Sequence, residues 1–590
     1  MTGMAASRAL PAPQGGAIWD GDLPAWWRAS SLVLVVLVLL APLLSLEPAE
    51  AQTRGQDFVL FPLEATINQN AVMRQEFSPP PKKQRTLRGK LGEPVAGVAP
   101  EKLAETRFTL RSVEFEAPAD IHLDPAIFVP AWQDLIGKEI SLKDFAAALD
   151  SIDDIYRQHD YVVIAQAPPQ PLASGHIRIV AYEVYVTDLE VKGGTAGQRR
   201  RLYPVFARIE AMRPLHQTAI YRQLLIAEDL LGGELTADWF QIEGQPGGAA
   251  RLEITIPSSA RDIVLSFDNY GGANIGPLQA SARAHVQDVF GLFESTDLTT
   301  LTNPANPSQI TMVGFQQAVP LGADGLSLNY GLANSWSNPG GTARDEGLHS
   351  EVLIANLGIS YALVRELDRN VMLTAGINGN NSSVDVTGGP STRDRTRWVS
   401  VGAEYDDVID GVGVVLVPAF LEGIDAFQAN NPFNDFQVAT LNGGATANLT
   451  DTLQAQLLFS GQYAFSTLPP AVLGFYGGEV FGRAYDPGAL AGNSLAAAAL
   501  QIGQHIDTGL PWLSDLNLFA FADYGAAWNP AGSPYEFASL GSAGVGLRAA
   551  IGENLVLTAL VAQPLYHESQ LAALGVQQST RLRFSLSLRF

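Results

Sequence analysis

The last ten residues alternate without a break. Leu582, Phe584, Leu586, Leu588 and Phe590 fall on one face of an extended chain, and Arg581, Arg583, Ser585, Ser587 and Arg589 on the other, because successive side chains of a strand point to opposite sides. A soluble sheet has the same period. Three arginines opposite an unbroken apolar face suit a strand with a wet lumen on one side and lipid on the other. Backbone polar groups in lipid must be satisfied internally, so such strands have to close into a barrel. The pattern extends upstream. From Arg261 to Phe590 helical periodicity fades and alternation takes over. Sixteen candidate strands start near residues 262, 278, 294, 309, 325, 347, 369, 393, 411, 433, 452, 494, 515, 537, 553 and 580. This leaves about 20 residues for each strand and its connection, against the ~9–11 that a crossing needs. The expectation is a 16-stranded antiparallel transmembrane β-barrel over 261–590. Trp336, Trp398, Trp512 and Trp528 are candidates for its interfacial girdles.

Composition removes several function classes. The chain carries 37 basic and 60 acidic residues, a formal charge of −23, whereas nucleic-acid binding needs a clustered basic excess. No cysteine is present, so disulfides, thiolate metal sites and thiol nucleophiles are excluded. No two of the eight histidines stand at the spacing of an HxxxH or HExxH metal site, and no phosphate loop occurs. The nearest approach to a nucleophile elbow, Leu540-Gly541-Ser542-Ala543-Gly544, lacks the first glycine. No catalytic residue, cofactor or metal is therefore expected, and the chain does not read as an enzyme.

The N-terminal region reads as an address and a tether. Arg28 precedes the apolar run Leu32 to Leu46, which Pro42 interrupts, and Ala49-Glu50-Ala51 follows. A positive flank, a short apolar core and a small-x-small site make a signal peptide over 1–51. The run is about 15 residues, short of the ~20 of a helical span. Residues 52–105 read as a linker. Within it Ala65 to Phe77 can form a short helix, a candidate plug, before Ser78-Pro79-Pro80-Pro81 forces extended chain.

Two small α+β units follow, over 106–183 and 184–258. In the first, Phe108 to Phe115 is a strand. Ser141 with Asp144 forms a capping box, and Leu142, Phe145, Leu149, Ile152 and Tyr156 line one face of a helix. Strands at Tyr161 to Ala165 and His176 to Tyr182 complete the unit. The second repeats the order. A strand ends at Gly193-Gly194, a helix runs from about Thr218 to Leu231, and strands cover Leu235 to Ile242 and Leu252 to Ile256.

These two units resemble POTRA (polypeptide-transport-associated) domains. The likeness rests on element order, on the helix that leads into Tyr161, and on Pro169-Gln170 before the last strand. Asp160-Tyr161 stands where family members often have Gly-Tyr, and aspartate tolerates the left-handed conformation better than most residues. Two POTRA units before a sixteen-stranded barrel resemble the two-partner secretion transporters (TpsB, the ShlB/FhaC/HecB-type hemolysin secretion/activation family). The terminal aromatic resembles the C-terminal signal of outer-membrane proteins, which gives Phe584, Leu586, Leu588 and Phe590 that role. Between the eleventh and twelfth strands lies Phe465 to Asn493, with six glycines and three prolines. In the family this loop carries an Arg-Gly-Tyr/Phe motif and folds into the pore. Here Phe481-Gly482-Arg483-Ala484-Tyr485 supplies the arginine and the aromatic, but Ala484 replaces the glycine and Gly482 precedes the arginine. The family's F-x-D-x-G strand motif is matched by Phe521-Ala522-Asp523-Tyr524-Gly525. The expected gate is therefore Gly482, Arg483 and Tyr485 with Asp523, in which Asp523 pairs with Arg483.

The resemblance implies a pore in the bacterial outer membrane with its POTRA domains in the periplasm, secreting a large adhesin- or hemolysin-type exoprotein. Its partners would be that exoprotein, outer-membrane lipid and the barrel assembly machinery during biogenesis. The alternatives are a barrel assembly insertase, whose relatives usually carry three to five POTRA units, and a passive structural pore.

Overall fold

The computed structural model describes residues 103–242, 248–257 and 261–590. The expected signal peptide and the candidate plug helix at 65–77 lie outside the described residues.

The first unit contains β1 (Arg107–Thr109), β2 (Ser112–Glu116), β3 (Glu139–Ser141), α1 (Leu142–Gln158), β4 (Val163–Gln166) and β5 (His176–Glu183). The single strand expected at 108–115 is two strands. β1 pairs with β3, while β2 joins β5 in a sheet ordered β2-β5-β4, and Leu110 is buried between the two pieces. The capping box forms as expected. The Asp144 amide donates to Ser141 Oγ at 3.2 Å, and the Ser141 amide to Asp144 Oδ2 at 3.1 Å. Leu142, Phe145, Leu149, Ile152 and Tyr156 of α1 are all fully buried, each stabilising the unit by about 1.5–3 kcal/mol.

On the same helix Asp153 accepts the amide of Ala165, on the edge strand β4, at 2.7 Å. Burial pushes the Asp153 carboxyl up to about 7, and the Ala165 N–H and Arg157 only partly oppose this. Between the ordinary value of 3.8 and about 7 the folded state holds a proton that the unfolded state has lost. Stability then falls as pH rises through that window. The protection factors of the β4 amides in the full-length protein, taken relative to base-catalysed intrinsic exchange, should fall from pH 5 to pH 8. Asp153→Asn, which keeps the acceptor oxygen, should flatten the change, and an unchanged pH dependence in that variant would refute the assignment.

The second unit contains β6 (Tyr185–Gly193), α2 (Ala196–Glu210), α3 (Gln217–Leu231), β7 (Thr236–Gln241) and β8 (Ala249–Ile256), with a sheet ordered β6-β8-β7. Helix α2 was not expected from the sequence. Pro204 sits inside it, and a proline there removes a helix hydrogen bond. Leu202, Val205, Phe206 and Ile209 are nonetheless fully buried, and their packing outweighs the local cost.

Asp160 joins the two units. It takes φ of 69°, as a glycine would, but its carboxylate does what glycine cannot. It accepts the Thr218 amide at 2.7 Å and the Thr218 hydroxyl at 2.8 Å, capping α3 of the next unit, and His216 Nδ1 lies 3.3 Å away. Asp160→Gly should preserve both folds yet lose a cap contribution of about 1 kcal/mol. A broader distribution of spin-label distances between the units would report the loss, and an unchanged distribution would assign the coupling elsewhere.

The C-terminal half is one closed barrel of sixteen strands, β9 (Arg261–Asp268) to β19 (Leu453–Ala464) and β22 (Ser494–Ile506) to β26 (Arg581–Arg589). Every strand starts within four residues of its expected position, and the largest offset is at Gln437. The barrel closes where β26 pairs with β9 through five residue pairs, from Ser585↔Asp268 to Arg589↔Val264. Ile263, Leu265, Leu332, Leu357 and Val545 stand exposed on the outer wall. Inside, polar side chains bond one another, as in Asn378 to Ser400 at 3.0 Å and Ser460 to Asn442 at 2.7 Å. Trp336, Trp512 and Trp528 are exposed, whereas Trp398 packs against the buried cluster of Phe436, Val438, Leu468 and Val472. At one rim the second unit docks on the barrel. Arg365 grips Asp229 of α3 with two bonds of 2.8 and 2.7 Å, Arg208 pairs with Asp324, and Arg222 donates to the Ala362 carbonyl at 2.8 Å.

Candidate functional site

The segment between β19 and β22 turns back into the barrel as a hairpin of β20 (Gly474–Tyr476) and β21 (Leu490–Gly492). The wall makes room for it. Inward positions of β22 carry Leu495, Ala497 and Ala499, and Ala527 lies opposite Leu495 on β23 (Leu513–Trp528). Tyr476, Phe481, Ala484, Tyr485 and Leu490 of the hairpin pack on these small residues in one buried cluster.

Each named member of the Phe521–Gly525 motif has a distinct part. Asp523 is 2% exposed. Its Oδ1 accepts the Tyr476 hydroxyl at 3.0 Å, the Gly482 amide at 3.0 Å and the Ser542 hydroxyl. Its Oδ2 is buried beside this cluster. Gly525 lies under the Tyr476 ring, where an added Cβ would meet a ring carbon at 2.2 Å. Phe521 carries the Arg483 guanidinium 4.3 Å above its ring.

The expected pairing of Arg483 with Asp523 is not what forms; no ion pair joins them among the described residues. Arg483 is buried and donates to Gln501 Oε1 at 3.1 Å and to the Glu479 carbonyl at 3.3 Å. Asp523 holds the loop through its backbone instead, one residue before the arginine. The reason is the displaced glycine. Gly482 takes φ of 72°, a conformation that costs a side chain heavily, and a Cβ there would lie 2.6 Å from the Tyr476 ring. This turn aims the Gly482 N–H at Asp523 and sends the Arg483 side chain toward β22. Ala484 is fully buried without needing positive φ. Tyr485 is also fully buried and donates its hydroxyl to the Gly541 carbonyl at 3.0 Å.

Arg583 is the second clamp, and the sequence reading placed it only on a wet face. It is 3% exposed. It donates to the Tyr485 carbonyl at 3.0 Å, the Arg483 carbonyl at 3.4 Å and the Asn269 carbonyl at 2.7 Å, and Asp486 Oδ1 lies 3.3 Å away. Arg581 is also near Asp486, at 3.5 Å, and only Arg589 stays at an exposed position. The loop tip is thus held between an anion on β23 that takes an N–H and a cation on β26 that takes carbonyls. Gln501, Ser542 and Tyr476 also escaped the sequence reading. The available signal was a lone polar residue on an inward face of small residues, as Gln501 is after Ala497 and Ala499. On the last strand Leu582 and Phe590 are exposed outward, while Leu586 and Leu588 of the same face are buried.

A closed sixteen-stranded barrel, with a hairpin packed on its inner wall and preceded by small α+β units, defines a POTRA-bearing outer-membrane barrel. The model of the haemolysin secretion/activation protein family ShlB/FhaC/HecB matches residues 248–549, and that of the ShlB-type POTRA domain matches residues 108–183. The chain belongs to the ShlB/FhaC/HecB family, whose barrels lie in the outer membrane with POTRA domains in the periplasm. Among curated proteins, the heme/hemopexin transporter protein HuxB of Haemophilus influenzae is 22% identical over 204 residues, 34% of this chain and 35% of HuxB. HuxB of a second strain is 23% identical over 211 residues. The match spans about a third of these relatives' length. The structure of CdiB from Escherichia coli superposes with a TM-score of 0.62 at 16% identity, covering 92% of this chain and 100% of that one. CdiB from Acinetobacter baumannii gives 0.59 at 15% identity with the same coverage. BamA from Haemophilus ducreyi lacking POTRA domains 1-3 gives 0.52 at 12%, covering 82% of this chain and all of that one. At these identities the likeness is one of fold.

Proposed function

We propose that this protein is the outer-membrane pore of a two-partner (type V) secretion system and that it exports a large adhesin- or hemolysin-type exoprotein. The observation that carries the reading is the hairpin around Arg483, folded into a closed barrel and held there by hydrogen bonds to its main chain. Contacts of that kind can be exchanged for others, so the loop acts as a gate over residues 465–493. The second unit serves as a second POTRA domain. Its docking on the barrel rim supports a fixed delivery route from the periplasm. In the first unit β2 is an edge strand with alternating exposure, which suits main-chain pairing with an unfolded segment whatever its sequence. The opposite edge, β4, is occupied at the Ala165 amide by Asp153. With no nucleotide-binding motif in the sequence, folding of the exported chain outside the cell supplies the driving force, and no catalytic step is assigned.

Arg483→Ala should insert into the membrane normally and secrete poorly, because the loop tip loses its stacking on Phe521 and its bond to Gln501. Secretion of a co-expressed exoprotein, normalised to barrel abundance, is the measurement. Wild-type secretion by the variant would remove the loop from the mechanism. A conductance that does not respond to the exoprotein would favour a passive pore.

A further inference from the structure

The strongest unexplained feature lies at the periplasmic rim, in the turn 288–294 between β10 (Gln279–Gln287) and β11 (Ser295–Thr302). Three large apolar side chains of this turn face solvent: Val289 at 55%, Phe290 at 73% and Leu292 at 57% exposure. Isolated exposed leucines are ordinary, but three within four residues form a patch of the kind that marks an interaction surface.

The turn is built to present them. Glu294 is 1% exposed, and its two oxygens accept the amides of Phe290 at 2.5 Å and Leu292 at 3.0 Å. Asp288 Oδ1 accepts the Phe293 amide at 2.8 Å, and the Asp288 amide donates to the Glu294 carbonyl at 2.8 Å. Asp288 and Phe293 both take positive φ, 58° and 61°, which is uncommon for an aspartate and an outlier for a residue as bulky as phenylalanine. Phe293 points the other way from its neighbours. It is buried in the core of the second unit, with Arg201 4.1 Å above its ring. Asp288 is held by the same helix, through Gln198 at 2.9 Å and Arg201 at 3.3 Å. One short turn therefore grips the periplasmic unit with Phe293 and shows three apolar side chains to its surroundings.

The adjoining barrel wall indicates what covers them. Leu298 on β11 and Ile263 and Leu265 on β9 stand exposed on its outer face, and Leu298 and Ile263 both pair with Ala284 of β10, close to the strand ends that this turn joins. We propose that Val289, Phe290 and Leu292 insert into the periplasmic leaflet of the outer membrane. They form a lipid anchor that fixes the height of the second unit against the bilayer. The proposal rests on the barrel spanning the membrane.

The absence of native cysteine makes the test direct. Phe290→Cys, Leu298→Cys and Ser151→Cys, each labelled with an environment-sensitive fluorophore, are placed as full-length protein in phosphatidylcholine nanodiscs doped with spin-labelled lipid. The Phe290 label is expected to shift to the blue and to be quenched most by a spin label near the headgroup. The Leu298 label should respond to a deeper spin label, and the Ser151 label, on α1, to neither. A Phe290 label quenched by iodide and blind to both lipids, beside a normal Leu298 response, overturns the anchor alone. A blue shift that appears only on adding an exported chain also overturns it and makes the patch a substrate contact. A Leu298 label blind to lipid would overturn the placement of the wall itself.

Discussion

Asp523→Ala is expected to release the loop from the barrel. The substitution strands three donors at once, the Gly482 amide and the hydroxyls of Tyr476 and Ser542. A buried donor left without a partner costs about 1–3 kcal/mol. Even at the low end the three together are worth about 3 kcal/mol, roughly a hundredfold shift in the loop's in–out equilibrium. The readout is single-channel conductance in planar bilayers, where the variant should spend far more time open than the wild type. Asp523→Asn keeps an acceptor oxygen and should fall between the two. Identical open probability in all three proteins would mean that apolar packing alone retains the hairpin.

Arg583→Met is the second large effect, and its signature differs. Methionine replaces the apolar stem but leaves the carbonyls of Arg483, Tyr485 and Asn269 without their donor, and leaves the Asp486 carboxylate with Arg581 as its remaining cation. A buried acceptor left without its donor costs about 1–3 kcal/mol, and the substitution strands three of them. Asn269 also extends the barrel's closing seam, since the Phe584 amide donates to its Oδ1 at 2.8 Å and its Nδ2 donates to the Leu582 carbonyl at 2.9 Å. That seam has five residue pairs, against eight where β9 meets β10, so it has the least ladder to lose. Arg583→Met should open the pore as Asp523→Ala does and also lower the temperature at which the folded band disappears in heat-modifiability electrophoresis. Arg583→Lys should rescue little, because an ammonium cannot span four acceptors as a planar guanidinium does. A melting temperature equal to that of Asp523→Ala would confine Arg583 to the loop.

How much of this was legible follows from the range of each interaction. Strand starts in the barrel were readable because lipid outside and polar lumen inside force a period of two on every crossing. The capping box at Ser141 was readable because it closes within three residues. Helix α2 was hidden by Pro204 and the charged run Arg199-Arg200-Arg201, since the packing that sustains it comes from the sheet below. Arg583 was placed on the correct face of its strand, but whether an inward arginine is wet or clamped depends on a loop some 100 residues away in sequence.

The sequence alone determined the closed barrel and its strand count, because alternation and chain length act locally, while the resemblance to a known family supplied the loop that folds inside it. Which partners the loop tip would take was decided only in three dimensions. Gly482, one residue before the arginine, turns the backbone so that Asp523 receives an N–H and the guanidinium goes to Phe521 and Gln501. A single φ angle set that arrangement, and the value it took depended on the Tyr476 ring and the barrel wall around it.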